Sequence, residues 1–162
     1  MKMKHVNGAM ATTFAIALFL LTGCGKSDDP NGTGQVEFQI TDSPSDDANV
    51  KGVVVTVADI KADGQSISGF SKQTIDLKAY QEGATKLLGT TTLGAKTYSN
   101  ITLVLDADTD AAGNAPGCYV LTTDNSKYKL RNNGKIDLLL NKNWTVESNS
   151  KSAVVIDFDI RK

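Results

Sequence analysis

Histidine is almost missing from this sequence, because the only one among 162 residues is His5. Residues 24–162, which are interpreted below as the mature chain, therefore contain no histidine. This excludes Ser-His-Asp and Cys-His nucleophile systems and zinc sites with imidazole ligands. Histidine is also the most common general base near neutral pH, so its absence favours a protein that is not an enzyme. Chemistry that uses carboxylates alone, as in glycosidases, is still compatible with the sequence.

Cysteine is almost as rare. Cys24 is interpreted below as a lipid attachment site, which leaves Cys118 as the only free thiol, so no disulfide can form within the mature chain. Cys118 precedes Tyr119 and has no neighbouring base. We therefore interpret it as a small buried hydrophobic residue in a strand rather than as a reactive thiol.

No cluster of positive charge stands out in the sequence. The formal net charge of the whole chain is −1. Loss of Lys2 and Lys4 with residues 1–23 leaves 15 of the 17 basic residues against 18 acidic ones, a net charge of −3. Nucleic acid is therefore not an expected partner, and the mature length suits one domain with its own core.

The N-terminus has the features of a bacterial lipoprotein signal. Lys2 and Lys4 precede an apolar run over residues 9–21, which is shorter than the roughly 20 residues that a spanning helix needs. The run ends in Leu-Leu-Thr-Gly-Cys, which predicts cleavage before Cys24 and attachment of lipid to its sulfur. Two acyl chains suffice for stable anchoring. The alternative is an ordinary secretory signal that is cleaved elsewhere.

A polar, glycine-rich tether follows the anchor over residues 24–34, and we assign residues 35–162 to the folded domain. A coil of ten residues reaches roughly 17 Å. Ser27, Asp28 and Asp29 resemble the acidic export signal of lipoproteins in Bacteroidetes-type bacteria, although an ordinary linker would look the same. We expect a lipid-anchored protein of the bacterial outer membrane, either surface-exposed or facing the periplasm.

From Gln35 onward, apolar residues recur with a period of two, which indicates strands. Residues 52–60 are apolar at both parities, as in a central strand covered on both faces and bulged near Gly52. Asp63-Gly64 is a hairpin signal. The remaining strand predictions cover residues 67–70, 75–77, 101–105, 118–123, 128–130, 136–146 and 153–160.

No convincing amphipathic helix interrupts this pattern. Residues 41–49 and 107–117 are rich in turn formers and are predicted loops, and residues 78–89 are ambiguous, with room for one helical turn. About nine short strands separated by frequent turns predict an all-β fold, an antiparallel β-sandwich.

Four segments resemble a bacterial lipoprotein domain family known as domain of unknown function 4382, and the similarity extends over residues 34–162. The resemblance implies an immunoglobulin-like or transthyretin-like sandwich and supplies no catalytic residues. Members often have Leu-Pro-Ala-Gly before the tyrosine that corresponds to Tyr98, where this chain has LGAK and a threonine, and members continue beyond the last strand, so we expect an open sheet edge. The segments are ITDSPSDDANVKGVVVTVADIKADG (40–64), TIDLKAYQEGATKLLGTTTL (74–93), TYSNITLVL (97–105) and AVVIDFDI (153–160).

Three aspartates in the predicted loop after residue 105 form a candidate calcium site. Asp106, Asp108 and Asp110 place hard oxygen ligands at alternate positions, as calcium requires. The match to an EF-hand loop fails at Ala111 and Gly117, where glycine and glutamate are needed. A solvated acidic loop is the alternative interpretation.

Weaker candidates have ordinary structural explanations. Trp144 shares parity with the apolar residues of its strand, so we predict a core position rather than a sugar-stacking platform. The N-x-Thr triplets that begin at Asn31, Asn100 and Asn143 are interpreted as chance. The other acidic candidates are a second oxygen cluster at Asp42, Asp46 and Asp47, interpreted as turn residues, and a pair at Asp157 and Asp159, interpreted as solvent-facing.

These observations favour a membrane-anchored envelope lipoprotein with a non-enzymatic sandwich that serves binding or structure. Its expected partners are the membrane, through lipid on Cys24, and a glycan or an envelope protein. The alternative from another class is a glycan-active enzyme that uses carboxylates alone.

Overall fold

The computed structural model describes residues 31–42 and 47–158. Cys24, residues 27–29, Asp46 and Asp159 lie outside this part, so the predictions about them stay predictions. The described part contains ten strands, one 3-10 helix and no α-helix. The strands are β1 (Thr33–Asp42), β2 (Val50–Ala62), β3 (Gln65–Ser66), β4 (Gln73–Asp76), β5 (Lys86–Gly94), β6 (Lys96–Asp106), β7 (Tyr119–Thr122), β8 (Lys127–Lys129), β9 (Lys135–Val146) and β10 (Lys151–Phe158), with the 3-10 helix Leu77–Tyr80 between β4 and β5.

The apolar periods in the sequence produce the two strands at the centre of the fold. Along β1, Val36, Phe38 and Ile40 are fully buried, and the residues between them are half-buried. Along β2, residues of both parities are buried, as predicted for a central strand. The predicted bulge is confirmed, because the register of β2 against β7 shifts between Val50 and Gly52.

The strands form two sheets. Sheet I has the order β10-β1-β5 and packs the apolar face of β1 against sheet II. Every pairing among the described strands is antiparallel except that of β1 with β10, which is parallel. The prediction of an all-β sandwich is therefore confirmed, with one parallel pair that the sequence pattern does not reveal.

Sheet II is built on β2, and its hydrogen-bonded order is β8-β7-β2-β6-β9, with β3 and β4 also on β2. Val54 pairs with both β4 and β7, and Val57 pairs with both β4 and β6. Because a strand has only two edges, β6 and β7 share the edge opposite β4. They behave as one strand interrupted by the loop 107–118, and β8 and β9 continue this arrangement outside them.

The sandwich has two distinct ends. The chain enters at the proximal end, where Gln35 donates to Ser150 O, Asn149 to Thr33 O and Ala95 to Gly32 O. The distal end holds the last residues of β1, β6 and β10 and the first residues of β2. The ten residues of β1 span about 33 Å between these ends.

Three local predictions need correction. The ambiguous segment 78–89 contains the end of the 3-10 helix and the start of β5, a strand the sequence analysis missed. The strand predicted at residues 67–70 is instead Gln65–Ser66, because the chain turns at Gly69, where φ is 77°. Leu77 belongs to the 3-10 helix rather than to β4, and Asp76 caps that helix by accepting from Lys78 N.

Candidate functional site

The candidate calcium ligand Asp106 lies at the end of β6. Its carboxylate is already hydrogen-bonded to other groups of the protein. Its side chain accepts hydrogen bonds from Lys72 Nζ at 2.9 Å and from the N–H groups of Asp108 at 3.0 Å and Thr109 at 3.1 Å. Burial opposes ionisation of Asp106, but these donors outweigh it and lower its pKa from 3.8 to about 2. The carboxylate therefore fixes the start of the loop.

The other two candidate ligands bind different segments. Asp108 accepts from Gly134 N at 2.9 Å and from Lys129 Nζ at 3.0 Å, which ties the loop to the chain before β9. Asp110 accepts from Asn114 N at 2.7 Å and from Ala112 N at 2.9 Å. These N–H groups, that of Asn114 foremost, lower the pKa of Asp110.

Within residues 31–42 and 47–158, no three side chains of His, Cys, Asp or Glu are grouped so that they can hold a metal ion. The geometry thus gives Asp106, Asp108 and Asp110 separate structural roles. Calcium binding there stays a prediction from the sequence, and the geometry lends it no support.

The two described candidates of the first acidic loop, Asp42 and Asp47, have different environments. Asp42 is 2% exposed, and its Oδ2 accepts from Gln81 Nε2 at 2.8 Å, whereas its Oδ1 has no hydrogen-bond partner. Asp47 is exposed, and its Oδ1 accepts from Asn49 N at 2.9 Å within a turn. The interpretation as a turn residue fits Asp47. It is wrong for Asp42, which is the buried last residue of β1.

An apolar cleft at the distal end, with a volume of about 700 Å³, is left unexplained by these contacts. Close-packed interiors contain few voids larger than a water molecule, whereas ligand pockets measure roughly 300–1,000 Å³. We call this concavity the distal cleft. Its lining residues are Asp47, Val50, Val53, Val54, Val55, Leu77, Leu105, Tyr119, Val120, Leu130, Asn132, Ile136, Leu138 and Phe158.

The described lining of the cleft comes mostly from sheet II. Of the described lining residues, Phe158 at the end of β10 is the only one from sheet I. β2 and the interrupted strands β6–β7 and β8–β9 of sheet II supply most of the apolar lining. The sequence analysis missed the cleft, because its lining comes from several segments that are far apart in sequence.

The family model for a domain of unknown function (DUF4382) matches residues 33–162. The chain belongs to the DUF4382 family. The match begins at the first residue of β1 and includes all ten strands, so the distal cleft is a feature of the DUF4382 domain itself. No curated protein and no solved structure matches the chain.

A second concavity of the DUF4382 domain, of about 370 Å³, lies between β9 and β10. Each of these strands pairs with a single neighbour among the described strands, so both are edge strands there. Leu139, Leu140 and Val155 are exposed beside it. Trp144 packs edge-on against Phe38, with ring centroids 5.9 Å apart, and stacks on Tyr98 at 4.6 Å. The core position predicted for Trp144 is confirmed.

Cys118 of the DUF4382 domain is fully buried, as predicted, but the prediction that it lies in a strand is wrong, because β7 begins one residue later at Tyr119. Its thiol donates to Asp106 O at 3.2 Å and accepts from Thr56 N at 3.3 Å. Burial raises the pKa of Cys118, which keeps the thiol protonated and unreactive. In the part of the chain that the structure describes, no helix is long and apolar enough to cross a membrane.

Proposed function

We propose that the protein is a lipid-anchored binding protein of the bacterial envelope, which takes up an apolar small molecule in the distal cleft. The cleft is the observation that carries the proposal. Twelve of its fourteen described lining residues are aliphatic or aromatic, so a water molecule finds few hydrogen-bond partners there and an apolar ligand gains dispersion contacts. The lipobox that ends at Cys24 supports the anchor.

The position of the cleft supports a ligand that arrives from solution. The tether joins the domain at the proximal end, and the length of β1 separates that end from the cleft by about 33 Å. An anchor on Cys24 would hold the proximal end at the membrane. The cleft would then face away from the lipid, as a capture site at the outer surface requires.

Catalysis by carboxylates is the alternative, and the geometry favours it less. Glycosidases place two carboxyl groups about 5–10 Å apart across the scissile bond. Asp47 is the only acidic residue among the described residues that line the distal cleft, and Asp157 is the only one in the concavity between β9 and β10. Since neither concavity offers a pair among described residues, binding is the better proposal.

A protein partner is a second candidate at a different surface. Exposed Leu139 and Val155, which are 56% and 50% exposed, lie on the open edges of β9 and β10. An exposed strand edge with apolar side chains is a known mode of strand-to-strand recognition. A sugar ligand has less support there, because the faces of Trp144 are used by Phe38 and Tyr98.

Titration of the purified protein with a neutral fluorescent apolar probe, N-phenyl-1-naphthylamine, tests the binding proposal. We expect saturable enhancement with one site per chain. Leu138→Trp, which fills the cleft, should weaken binding by about tenfold or more. The matched control is Leu139→Trp on the same strand, which points away from the cleft and should bind normally.

Circular dichroism and thermal unfolding check that both variants fold. Ile136→Phe is a second filling variant, which should weaken binding in the same direction. Wild-type protein that gives no saturable signal, or equal affinities for Leu138→Trp and Leu139→Trp, would overturn the proposal.

A further inference from the structure

Strand β10 differs from the other described edge strands, because it has no feature that hinders pairing with a further strand. Natural sheets protect their edges with short strands, lysines, prolines or bulges. β3, β4 and β8 have two to four residues, and β5 and β9 have register shifts in their pairing. β10 instead pairs with β1 in one unbroken register over eight residues and contains neither proline nor glycine. Its other edge is therefore regular enough to accept a strand.

No described strand pairs with this edge of β10. Residues 153–157 line the concavity of about 370 Å³ that lies between β10 and β9. Val155 is 50% exposed, and Lys151, Ala153 and Asp157 are exposed on the same face of the strand. We call this face, which is formed by Lys151, Ala153, Val155 and Asp157, the outer face of β10. A strand added at the edge would remove apolar surface of this face from water.

The outer face of β10 is complementary to itself. Along the strand it presents one cation, two apolar residues and one anion. If two copies of β10 run antiparallel with Val154 opposite Val154, Lys151 of each copy lies opposite Asp157 of the other, and Ala153 lies opposite Val155. Directly opposite residues of an antiparallel pair share a face and have Cβ atoms about 4.5–5.5 Å apart. Both charged pairs then join opposite signs, and the apolar residues meet between them.

Other registers lose this match. Moving one strand by two residues keeps the faces aligned, but it places Asp157 opposite Ala153, or Lys151 opposite Val155. A parallel pairing in register would set identical charges side by side. The outer face therefore favours the antiparallel register that is centred on Val154.

We propose that the protein forms a homodimer in which β10 of two copies pairs antiparallel about Val154, so that sheet I continues through both copies. The same edge of each copy is used, so the contact is closed and stops at two chains. One strand edge per copy is a small interface, and we expect a dissociation constant on the order of 10 μM. The dimer goes beyond the proposed function and does not depend on a ligand in the distal cleft.

Antiparallel pairing is compatible with the predicted anchors. It separates the proximal ends of the two copies by about the length of β10, roughly 27 Å. A tether of ten residues spans up to about 35 Å when extended, so both copies can be anchored in one membrane. Anchoring there would raise their local concentration, which favours a weak dimer.

Sedimentation equilibrium of the purified full chain, at concentrations from below to well above the expected dissociation constant, tests the dimer. Reductant is included so that Cys24 forms no disulfide between chains. Lys151→Glu and Asp157→Lys should each weaken dimerisation by about tenfold or more, because each substitution creates two pairs of like charge. An equimolar mixture of these two variants should recover dimerisation, because both charged pairs of the mixed dimer again join opposite signs.

Val155→Lys tests the apolar part of the contact and should also weaken dimerisation, because it places a charge in the middle of the paired edge. The matched controls make the same changes at exposed positions of β9, which is the edge strand of the other sheet. Lys135→Glu and Leu139→Lys should both dimerise like wild type. All of these side chains are exposed, so thermal unfolding of every variant should stay close to that of wild type.

Wild-type protein that stays monomeric at every concentration would overturn the dimer, as would assembly that continues beyond two chains. Dimerisation that is unchanged in Lys151→Glu and Asp157→Lys, or that Leu139→Lys weakens as much as Val155→Lys does, would place the contact elsewhere and overturn the proposal. A mixture of Lys151→Glu and Asp157→Lys that stays monomeric would contradict the register centred on Val154.

Discussion

Individual carboxylates hold the loops of this sandwich in place. Asp63, at the turn between β2 and β3, accepts from Ser99 N at 2.8 Å, from Asn100 N at 3.3 Å and from Lys96 Nζ at 3.1 Å. The hydrogen bond from Ser99 N is the largest of the effects that lower the pKa of Asp63 from 3.8 to about 2. Asp106 does the same at the end of β6. The two residues join segments that are distant in sequence.

These lowered pKa values predict loss of stability in acid. A carboxyl group whose pKa is lower in the folded state stabilises the fold above its unfolded pKa of 3.8. That contribution disappears as the pH falls through the folded pKa of about 2. We expect the urea midpoint to fall between about pH 5 and about pH 2.5, and Asp63→Asn/Asp106→Asn to flatten this dependence. A double variant with the wild-type slope would contradict the assignment.

Calcium binding at Asp106, Asp108 and Asp110 can be decided separately. Because each carboxylate is already satisfied by other donors, we expect superimposable thermal unfolding curves in millimolar calcium and in chelator. Asp106→Ala should destabilise the protein by about 1–3 kcal/mol in either condition, since its donors lose their acceptor. A melting temperature that rises with calcium in wild type, and not in Asp108→Asn/Asp110→Asn, would instead establish the site.

Parity in the sequence is enough to predict which side chains of a strand are buried. Trp144 was placed correctly for this reason. Parity carries no information about partners, so the contacts of Asp108 with Gly134 and Lys129, or of Asp106 with Lys72, could not be predicted. Asp42 shares the parity of Val36, Phe38 and Ile40, and its burial was missed because the residue was assigned to the loop that follows β1.

At the scale of elements, strands with clear alternation were predicted and strands defined by their neighbours were not. β1, β2, β6 and β9 have apolar periods that their own sequences display. β5 reads KLLGTTTLG, in which threonines and glycines hide the period, and it is specified by its pairing with β1. The direction of β10 beside β1 depends on how the chain crosses between sheets, which no single-strand pattern contains.

Close packing at the proximal end predicts that alanine substitutions at two glycines will change the stability of the domain by very different amounts. A Cβ on Gly34 in β1 would lie 2.5 Å from Glu147 O and 2.7 Å from Val146 Cγ1. Gly34→Ala should therefore destabilise the domain by roughly 1–3 kcal/mol in urea denaturation. On the paired strand β5, a Cβ on Gly89 would meet only Phe70, at 3.7 Å. Gly89→Ala should stay within about 0.5 kcal/mol of wild type, and equal effects would contradict this packing.

At the scale of the whole molecule, the length of β1 separates the first residues of the described domain from the distal cleft. The fold class followed from the number and spacing of short strands. The cleft did not, because its lining combines side chains from β2, β6, β7, β9 and β10, whose arrangement depends on topology and register. The expected membrane attachment depends on residues 1–24 alone and is tested independently of the cleft.

The predicted lipid attachment to Cys24 can be tested separately. In a bacterial host, Cys24→Ala should abolish incorporation of radiolabelled palmitate and move the protein out of the washed membrane fraction, because Cys24 is the residue predicted to carry the lipid. Cys118→Ala is the matched control and should be labelled like wild type, since that thiol is buried in the core. Undiminished labelling of Cys24→Ala would show that the lipobox has been misread.

The central claim is that the distal end binds an apolar ligand, and amide chemical shifts test it most directly. ¹⁵N-labelled protein titrated with 1-decanol should show saturable shifts at Val50, Val53, Leu105, Ile136 and Leu138, which line the cleft. Amides of the proximal end, such as Gly34, Ala95 and Asn149, should not move. Shifts that centre on the proximal end or on the open edges of β9 and β10, or no saturable shifts at all, would contradict the account.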